Sequence, residues 1–189
     1  VGGLELGLEL AFARYRTVCY VERDSFAASV IVARMEEAAL GQAPIWDDLF
    51  TFDGTGWRGR VDCISAGFPC QPWSQAGNLR GTDDDRWPWP HIERIIREVG
   101  PWIIILENVP GVLSGGADPI FSSLAEMGFD AEWGVLGAAQ VGAAHKRDRW
   151  FCVAVRPDHL EELADAGSFS NSVRGFAPAD PSQDDGRHD

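Results

Sequence analysis

The chain has 189 residues, 45% of them hydrophobic, and a formal net charge of −13. That length can bury a full core, and one domain is expected; no apolar run is long enough to span a membrane, and the Val-Gly-Gly-Leu-Glu-Leu start lacks the basic-then-apolar order of a signal peptide. Cysteines stand at 19, 63, 70 and 152 without a Cys-x-x-Cys pair or a Cys/His cluster, so no metal site is expected, and a reduced, cytoplasmic chain is.

Residues 3–13 read as a helix opened by glycines, and residues 17–21 as a strand. Ser25 is placed to cap a helix running to about residue 40, with Phe26, Val30 and Ala33 on one face. Residues 41–60, rich in Gly and Asp, read as loop. Residues 61–66 form an apolar strand, followed by a long loop to about residue 89. Ile92, Ile95, Ile96 and Val99 recur at helical spacing, and Gly100-Pro101 stops that helix. Residues 102–106 are apolar without interruption, as in a strand buried on both faces. Ile120, Leu124 and Met127 mark a further helix ended by Gly128. Two more strands are expected near 131–138 and 149–155. Strands alternating with helices predict an α/β fold with a mostly parallel sheet. Residues 157–189 carry eight acids and two arginines, and 166–189 are rich in Ser, Gly, Pro and Asp; this region reads as an acidic, flexible linker.

Four groups of residues could carry chemistry. Cys70 lies in Gly67-Phe68-Pro69-Cys70-Gln71-Pro72-Trp73-Ser74, directly after a strand, between two prolines that fix the backbone. It is either a held nucleophile or an inert loop thiol. Glu107 follows the buried strand 102–106, at the carboxyl edge where α/β sheets bind ligands, though an acid there could equally cap a helix. Arg147 and Arg149 alternate about Asp148 at the start of a strand. Two guanidinium forks on one face suit a phosphate or a base carbonyl, and also suit a solvated strand end. Gly2-Gly3 opening a first helix, Glu22 after the next strand and Asp48 in Trp46-Asp47-Asp48-Leu49 together suggest an adenosine-containing cofactor, each being weak alone.

In this order the residues match a known family. The chain resembles the cytosine carbon-5 DNA methyltransferases over about residues 1–156. The Phe68-Pro69-Cys70-Gln71 loop is similar to their Pro-Cys motif and Glu107-Asn108-Val109 to their Glu-Asn-Val motif. Gln140 to Arg149 is similar to their Gln-x-Arg-x-Arg segment, and Val1-Gly2-Gly3 to the end of their glycine-rich motif. The resemblance implies a Rossmann-like fold that binds S-adenosyl-L-methionine. It implies catalysis by Cys70, Glu107, Arg147 and Arg149. It implies cofactor contacts from Gly2, Gly3, Glu22, Asp48, Leu49 and Pro69, and substrate contacts from Gln71, Ser74 and Asn108. Double-stranded DNA is the implied partner, a restriction endonuclease the implied counterpart, and a monomer the implied state. A tRNA cytosine-5 methyltransferase and a non-catalytic remnant are the rival readings; a nicotinamide oxidoreductase would explain the glycines and Glu22 but not Cys70 with Glu107.

The sequence departs from the family at two places. His145 stands where the family usually has glutamine. Asp84 and Arg86 resemble the family's Asp-x-Arg segment, but Trp89 replaces the usual leucine. The family's central first strand is expected before Val1 and its target-recognition region after about residue 165. The chain is therefore expected to be a fragment of 1–156 catalytic and 157–189 linker residues, poorly stable by itself because the neighbours of that strand would be left unpaired.

Overall fold

The computed structural model describes residues 1–12, 14–69 and 87–161. Helix α1 spans Gly3–Ala11 and follows Gly2 in the left-handed region (φ 71°). A β-carbon at Gly2 would meet Leu40 Cδ1 at 2.6 Å, so both dihedral and space demand glycine there. Strand β1, Tyr20–Val21, pairs in parallel with β2, Ile45–Trp46. The expected strand over 17–21 is shorter because β2 offers only two residues to pair with.

Helix α2 spans Ser25–Glu36. Its cap is Asp24, not Ser25: Asp24 Oδ1 accepts from Ala27 N–H at 2.7 Å, and a carboxylate there also complements the helix dipole. The helix stops short of residue 40 because Ala38 takes a positive φ of 55°, turning Leu40 into the core. The buried face carries Ile31 and Met35, packed with Tyr20 and Leu40. Phe26, read on one face with Val30 and Ala33, is 77% exposed, so that face is not the buried one. Apolar residues lie on several sides of this helix, so its spacing does not single out the buried stripe.

A second sheet has the order β3-β4-β6-β5, built from Cys63–Gly67, Ile103–Asn108, Asp148–Val155 and Asp130–Gly137 for β3, β4, β6 and β5 respectively. β3 and β4 are parallel, and β6 runs antiparallel to both β4 and β5. Three strands thus share one direction and β6 alone is reversed. Helix α3, Trp89–Val99, makes the crossover from β3 to β4 and ends on Gly100 at φ 67°. Helix α4, Ala117–Glu126, precedes β5, and Met127 caps it while packing, partly buried, against the same cluster as Ile120 and Leu124.

β4 is buried on both faces. Ile104 and Leu106 pack with Ile92 and Ile96 of α3 and Ile120 and Leu124 of α4. Ile103 and Ile105 face Leu8 of α1 and Val155. Helices therefore cover both sides of the sheet, the three-layer α/β arrangement expected from the alternation of elements. No helix among the described residues is long and apolar enough to cross a membrane.

Leu106 is fully buried at the centre of the larger cluster. Leu106→Ala in the full-length protein is expected to cost about 2–5 kcal/mol through lost contacts and the cavity left behind. Urea unfolding measures it; a loss below about 1 kcal/mol would contradict this packing.

Candidate active site

Parallel pairing brings the carboxyl ends of β3 and β4 to one edge, with Gly67 opposite Glu107. β6 runs the other way, so its first residues return to that edge, where Asn108 faces Trp150. Glu107 and Arg149 meet there: Arg149 Nε donates to Glu107 Oε1 at 2.8 Å, and each side chain keeps about a quarter of its surface exposed (29% and 23%). Arg149 Nη1 also donates to the Asp148 carbonyl at 2.8 Å. The pair is partly shielded and made through one charge-assisted contact, which orients the carboxylate without a bidentate fork. Oε2 of Glu107 lies over Gly67, where a β-carbon would come within 3.1 Å of it. A glycine at the end of β3 leaves room for the carboxylate.

Asn108 is 3% exposed. Its Nδ2 donates to the Phe68 carbonyl at 3.0 Å, and its Oδ1 accepts from Val109 N–H at 2.8 Å. Both ends of the amide are used inside the protein, so Asn108 ties the end of β4 to the segment leaving β3. Phe68 is buried against Trp87 and Trp89. Trp89, noted as a departure from the family, opens α3 in the core, and its Nε1 donates to Ser123 Oγ at 3.2 Å. Pro69 ends the described segment; Cys70, Gln71, Ser74, Asp84 and Arg86 lie outside the described residues.

Arg147 is exposed just before β6, its carbonyl accepting from Ala138 N–H, while His145 is exposed in the same loop. The structure brings Arg149 to Glu107 but joins Arg147 to neither by an ion pair among the described residues. The other expected residues gather around β1 and β2. Glu22 follows β1, its Oε1 accepting from Asp24 N–H at 2.8 Å. Asp48 follows β2, its Oδ1 accepting from Phe50 N–H at 2.8 Å. Because β1 and β2 are parallel, the two acids leave the same end of that sheet. Gly2 and Gly3 open α1, whose Leu6 packs with Tyr20, Leu40 and Ile45 of the same unit. Leu49 is partly buried beside both Phe52 and Leu106.

The described thiols are poor nucleophiles. Burial pushes Cys63 up to about 12, helped by the charges of Asp62 and Glu5. Burial alone pushes Cys152 to about 12, and burial raises Cys19. Cys152 is fully enclosed as expected, while Cys19 and Cys63 are half-buried. Among the described residues no group of three His, Cys, Asp or Glu is placed to hold a metal ion.

Reading by residue type missed Gly67 and the two side chains of α3 that hold the Asp48 turn, Arg94 and Glu98. A charged i, i+4 pair bordering the apolar stripe of α3 was the available signal for the latter.

A three-layer α/β sheet with an acid and an arginine paired at the carboxyl edge of its central strand is the frame of a Rossmann-like methyltransferase. The profile of the C-5 cytosine-specific DNA methylases matches residues 1–178, and the chain belongs to that family. It is 32% identical over 170 residues to the Type II methyltransferase M.NgoMIV of Neisseria gonorrhoeae, covering 84% of this chain and 50% of the relative. It is 34% identical over 173 residues to M.PspPI of Psychrobacter, covering 86% and 39%. The chain thus spans half or less of the length of these relatives. The fold is similar to that of Spodoptera frugiperda DNMT2, with a TM-score of 0.65 at 23% identity over 82% of this chain and 47% of that one. It is similar also to a putative DNA modification methyltransferase encoded within an Escherichia coli prophage, with a TM-score of 0.63 at 24% identity over 92% and 47%.

Two outcomes follow from this geometry. Asn108→Ala should cost about 1–3 kcal/mol by stranding the Phe68 carbonyl, and Asn108→Asp should cost more by burying a charge; chemical denaturation ranks the two. Cys63 and Cys152 should stay unlabelled by a maleimide at pH 8 in the native protein, with about one thiol in ten thousand ionised. Their folded-state values lie above that of a free thiol, so their stabilising contribution is full below about pH 9 and is lost as pH climbs toward 12. Rapid native labelling of either would overturn this assignment.

Proposed function

We propose that the whole protein methylates carbon 5 of cytosine in double-stranded DNA, with S-adenosyl-L-methionine as methyl donor and Cys70 as covalent nucleophile. The observation that carries the reading is the Glu107–Arg149 pair at 2.8 Å, set beside Gly67 on the edge from which the chain runs to Cys70.

The residues near β1 and β2 suit the donor. Glu22 and Asp48 each commit one carboxylate oxygen to a neighbouring N–H and have the other to offer to hydroxyl or amino donors. Gly2, without a side chain, opens the amino end of α1. Glu22 would hold the ribose, Asp48 and Leu49 the adenine, and Gly2, Gly3 and Pro69 the amino-acid end. The donor supplies an electrophilic methyl on a sulfonium, whose departure as a thioether drives transfer.

Carbon 5 of cytosine is a weak nucleophile. Attack of the Cys70 thiolate on carbon 6 forms a carbon–sulfur bond and pushes the ring electrons toward carbon 5 and nitrogen 3. Glu107, held by Arg149 through Oε1, is the group that would carry a proton on Oε2, donate it to nitrogen 3 as that charge develops and take it back when the thiolate is expelled. Arg149, held to Glu107 through Nε and to the Asp148 carbonyl through Nη1, would offer its other guanidinium donors to the base carbonyl oxygen. After methyl transfer, loss of the carbon 5 proton returns the electron pair that expels the thiolate. Asn108 acts at one remove, pinning the Phe68 carbonyl and so the start of the Cys70 loop. Gln71 and Ser74 would contact the strand, and Arg147, exposed at the same edge, a phosphate. The reacting atoms are inaccessible in a stacked duplex, so the cytosine must be turned out of the helix. The kinship with Type II methyltransferases supports a restriction endonuclease of matching specificity as counterpart.

Duplex DNA carrying 5-fluorocytosine blocks the final proton loss and should trap the full-length protein in a covalent adduct when the donor is present. Cys70→Ser should abolish the adduct, and Arg149→Ala should slow its formation by about 100-fold or more. An adduct formed by Cys70→Ser would sink the mechanism. Methylation of tRNA in place of duplex DNA would sink the substrate.

A further inference from the structure

Helix α3 carries two working faces. Ile92 and Ile96 pack into the main sheet. The stripe formed by His91, Arg94, Ile95, Glu98 and Val99 instead receives the turn of residues 48–54, which begins at Asp48. Arg94 Nη2 donates to the Leu49 carbonyl at 3.0 Å, and Nη1 donates to the Phe52 carbonyl at 2.8 Å. Arg94 Nη1 also bonds Glu98 at 2.8 Å, and Glu98 Oε2 accepts from Gly54 N–H at 2.8 Å. The Phe50 ring meets His91 edge-on at 4.2 Å between centroids. Phe52 is buried against Ile95 and Val99.

This arrangement is not explained by helix stability. Within one helix, an acid four residues before a base is the better order. Glu93 and Arg97 follow it, with Arg97 Nη2 2.7 Å from Glu93 Oε1. Arg94 and Glu98 have the reverse order, and both reach off the helix to backbone groups of the turn. Gly54 completes the fit: a β-carbon there would lie 2.9 Å from Val99 and 3.1 Å from Glu98. Burial opposes the charge on Glu98, yet the hydrogen bonds from Arg94 and Gly54 N–H and the charge of Arg94 outweigh it and hold its pKa below the usual carboxylate range.

The turn so held is the one that presents Asp48. Its carbonyl accepts from Thr51 and Phe52 N–H, and its Oδ1 from Phe50 N–H. Among the described residues, the bond from Phe50 N–H that orients the Asp48 carboxylate thus lies in a segment whose far side is bolted to α3. We propose that Arg94, backed by Glu98, is a positioning residue for the methyl donor: it sets the Asp48–Leu49 backbone in the conformation that receives the adenine. This rests on the reading of Asp48 and Leu49 as donor-binding residues. Preorganising a binding turn raises affinity by removing the ordering cost from the binding step.

The test is calorimetric titration of the full-length protein with S-adenosylhomocysteine, together with steady-state kinetics. Arg94→Ala should raise its Kd by about tenfold or more, the scale of one lost charge-assisted hydrogen bond. The donor KM should rise in parallel while the KM for DNA stays within about twofold. A structural role alone would not produce the decisive result, a loss of coupling. In an Asp48→Ala background, Arg94→Ala should change Kd by less than about twofold. Arg94→Lys keeps the charge but not the planar fork and should recover only part of the affinity. Should Arg94→Ala fail to fold, Arg94→Lys and Glu98→Gln carry the test, each expected to raise Kd by about threefold or more.

A wild-type Kd in these variants, or an undiminished effect of Arg94→Ala in the Asp48→Ala background, overturns the inference while leaving the proposed function standing. Failure of the wild-type protein to bind the probe overturns the proposed function, and this inference with it.

Discussion

The edge chemistry depends on how β4 ends. Four successive residues, Ile103 to Leu106, are buried on alternate faces by two separate clusters, which fixes both the position and the register of the strand. The next two residues are polar, Glu107 and Asn108, and they alternate as any strand must. One turns to the edge opening and takes Arg149; the other turns into the core and takes the Phe68 carbonyl. A slip of one residue would bury the carboxylate and expose the amide. The apolar run is therefore what aims the acid.

β6 supplies the second half of that constraint. An antiparallel strand beside β4 returns its amino end to the edge where β3 and β4 finish. A parallel strand would deliver its carboxyl end there, with its amino-terminal arginine at the far side of the sheet. The reversed strand thus allows residues separated by 42 positions, Glu107 and Arg149, to meet at 2.8 Å. The glycine opposite Glu107 leaves the carboxylate unobstructed on its other side.

Much of this was readable from residue order. The stripe of α3 and the uninterrupted β4 carry periodicities that fix their type, and residue order placed Glu107 and Arg149 at strand ends without giving their ion pair. α2 was legible only in outline, because a helix apolar on several sides does not say which side is buried, and Phe26 proved exposed. Asp24 outcompeted Ser25 as its cap through a difference of one position that composition does not resolve. The place of Asn108 in a motif gives its identity but not the face on which β4 turns it, so its tie to the Phe68 carbonyl came only from the fold. Arg94 and Glu98 were overlooked because an i, i+4 charge pair on a helix is ordinarily a solvated surface feature. Only the turn packed against them gives them a task.

The net charge of −13 sits uneasily with a nucleic-acid partner until its distribution is considered. Association with a polyanion responds to the local field, not the total. At the proposed site the carboxylate of Glu107 is matched by Arg149, so the sheet edge carries no uncompensated negative charge from that pair. Immediately before β6, His145, Lys146 and Arg147 are exposed in succession. Eight of the chain's acids, by contrast, fall after residue 156. A nucleic-acid strand approaching the edge on the proposed reading therefore meets a charge-matched pair beside Lys146 and Arg147, with the exposed Asp148 between the two arginines. The same antiparallel return of β6 that brings Arg149 to Glu107 also sets Lys146 and Arg147 immediately before the strand end that meets this edge, so on the proposed reading one topological feature would serve both the chemistry and the approach of the substrate.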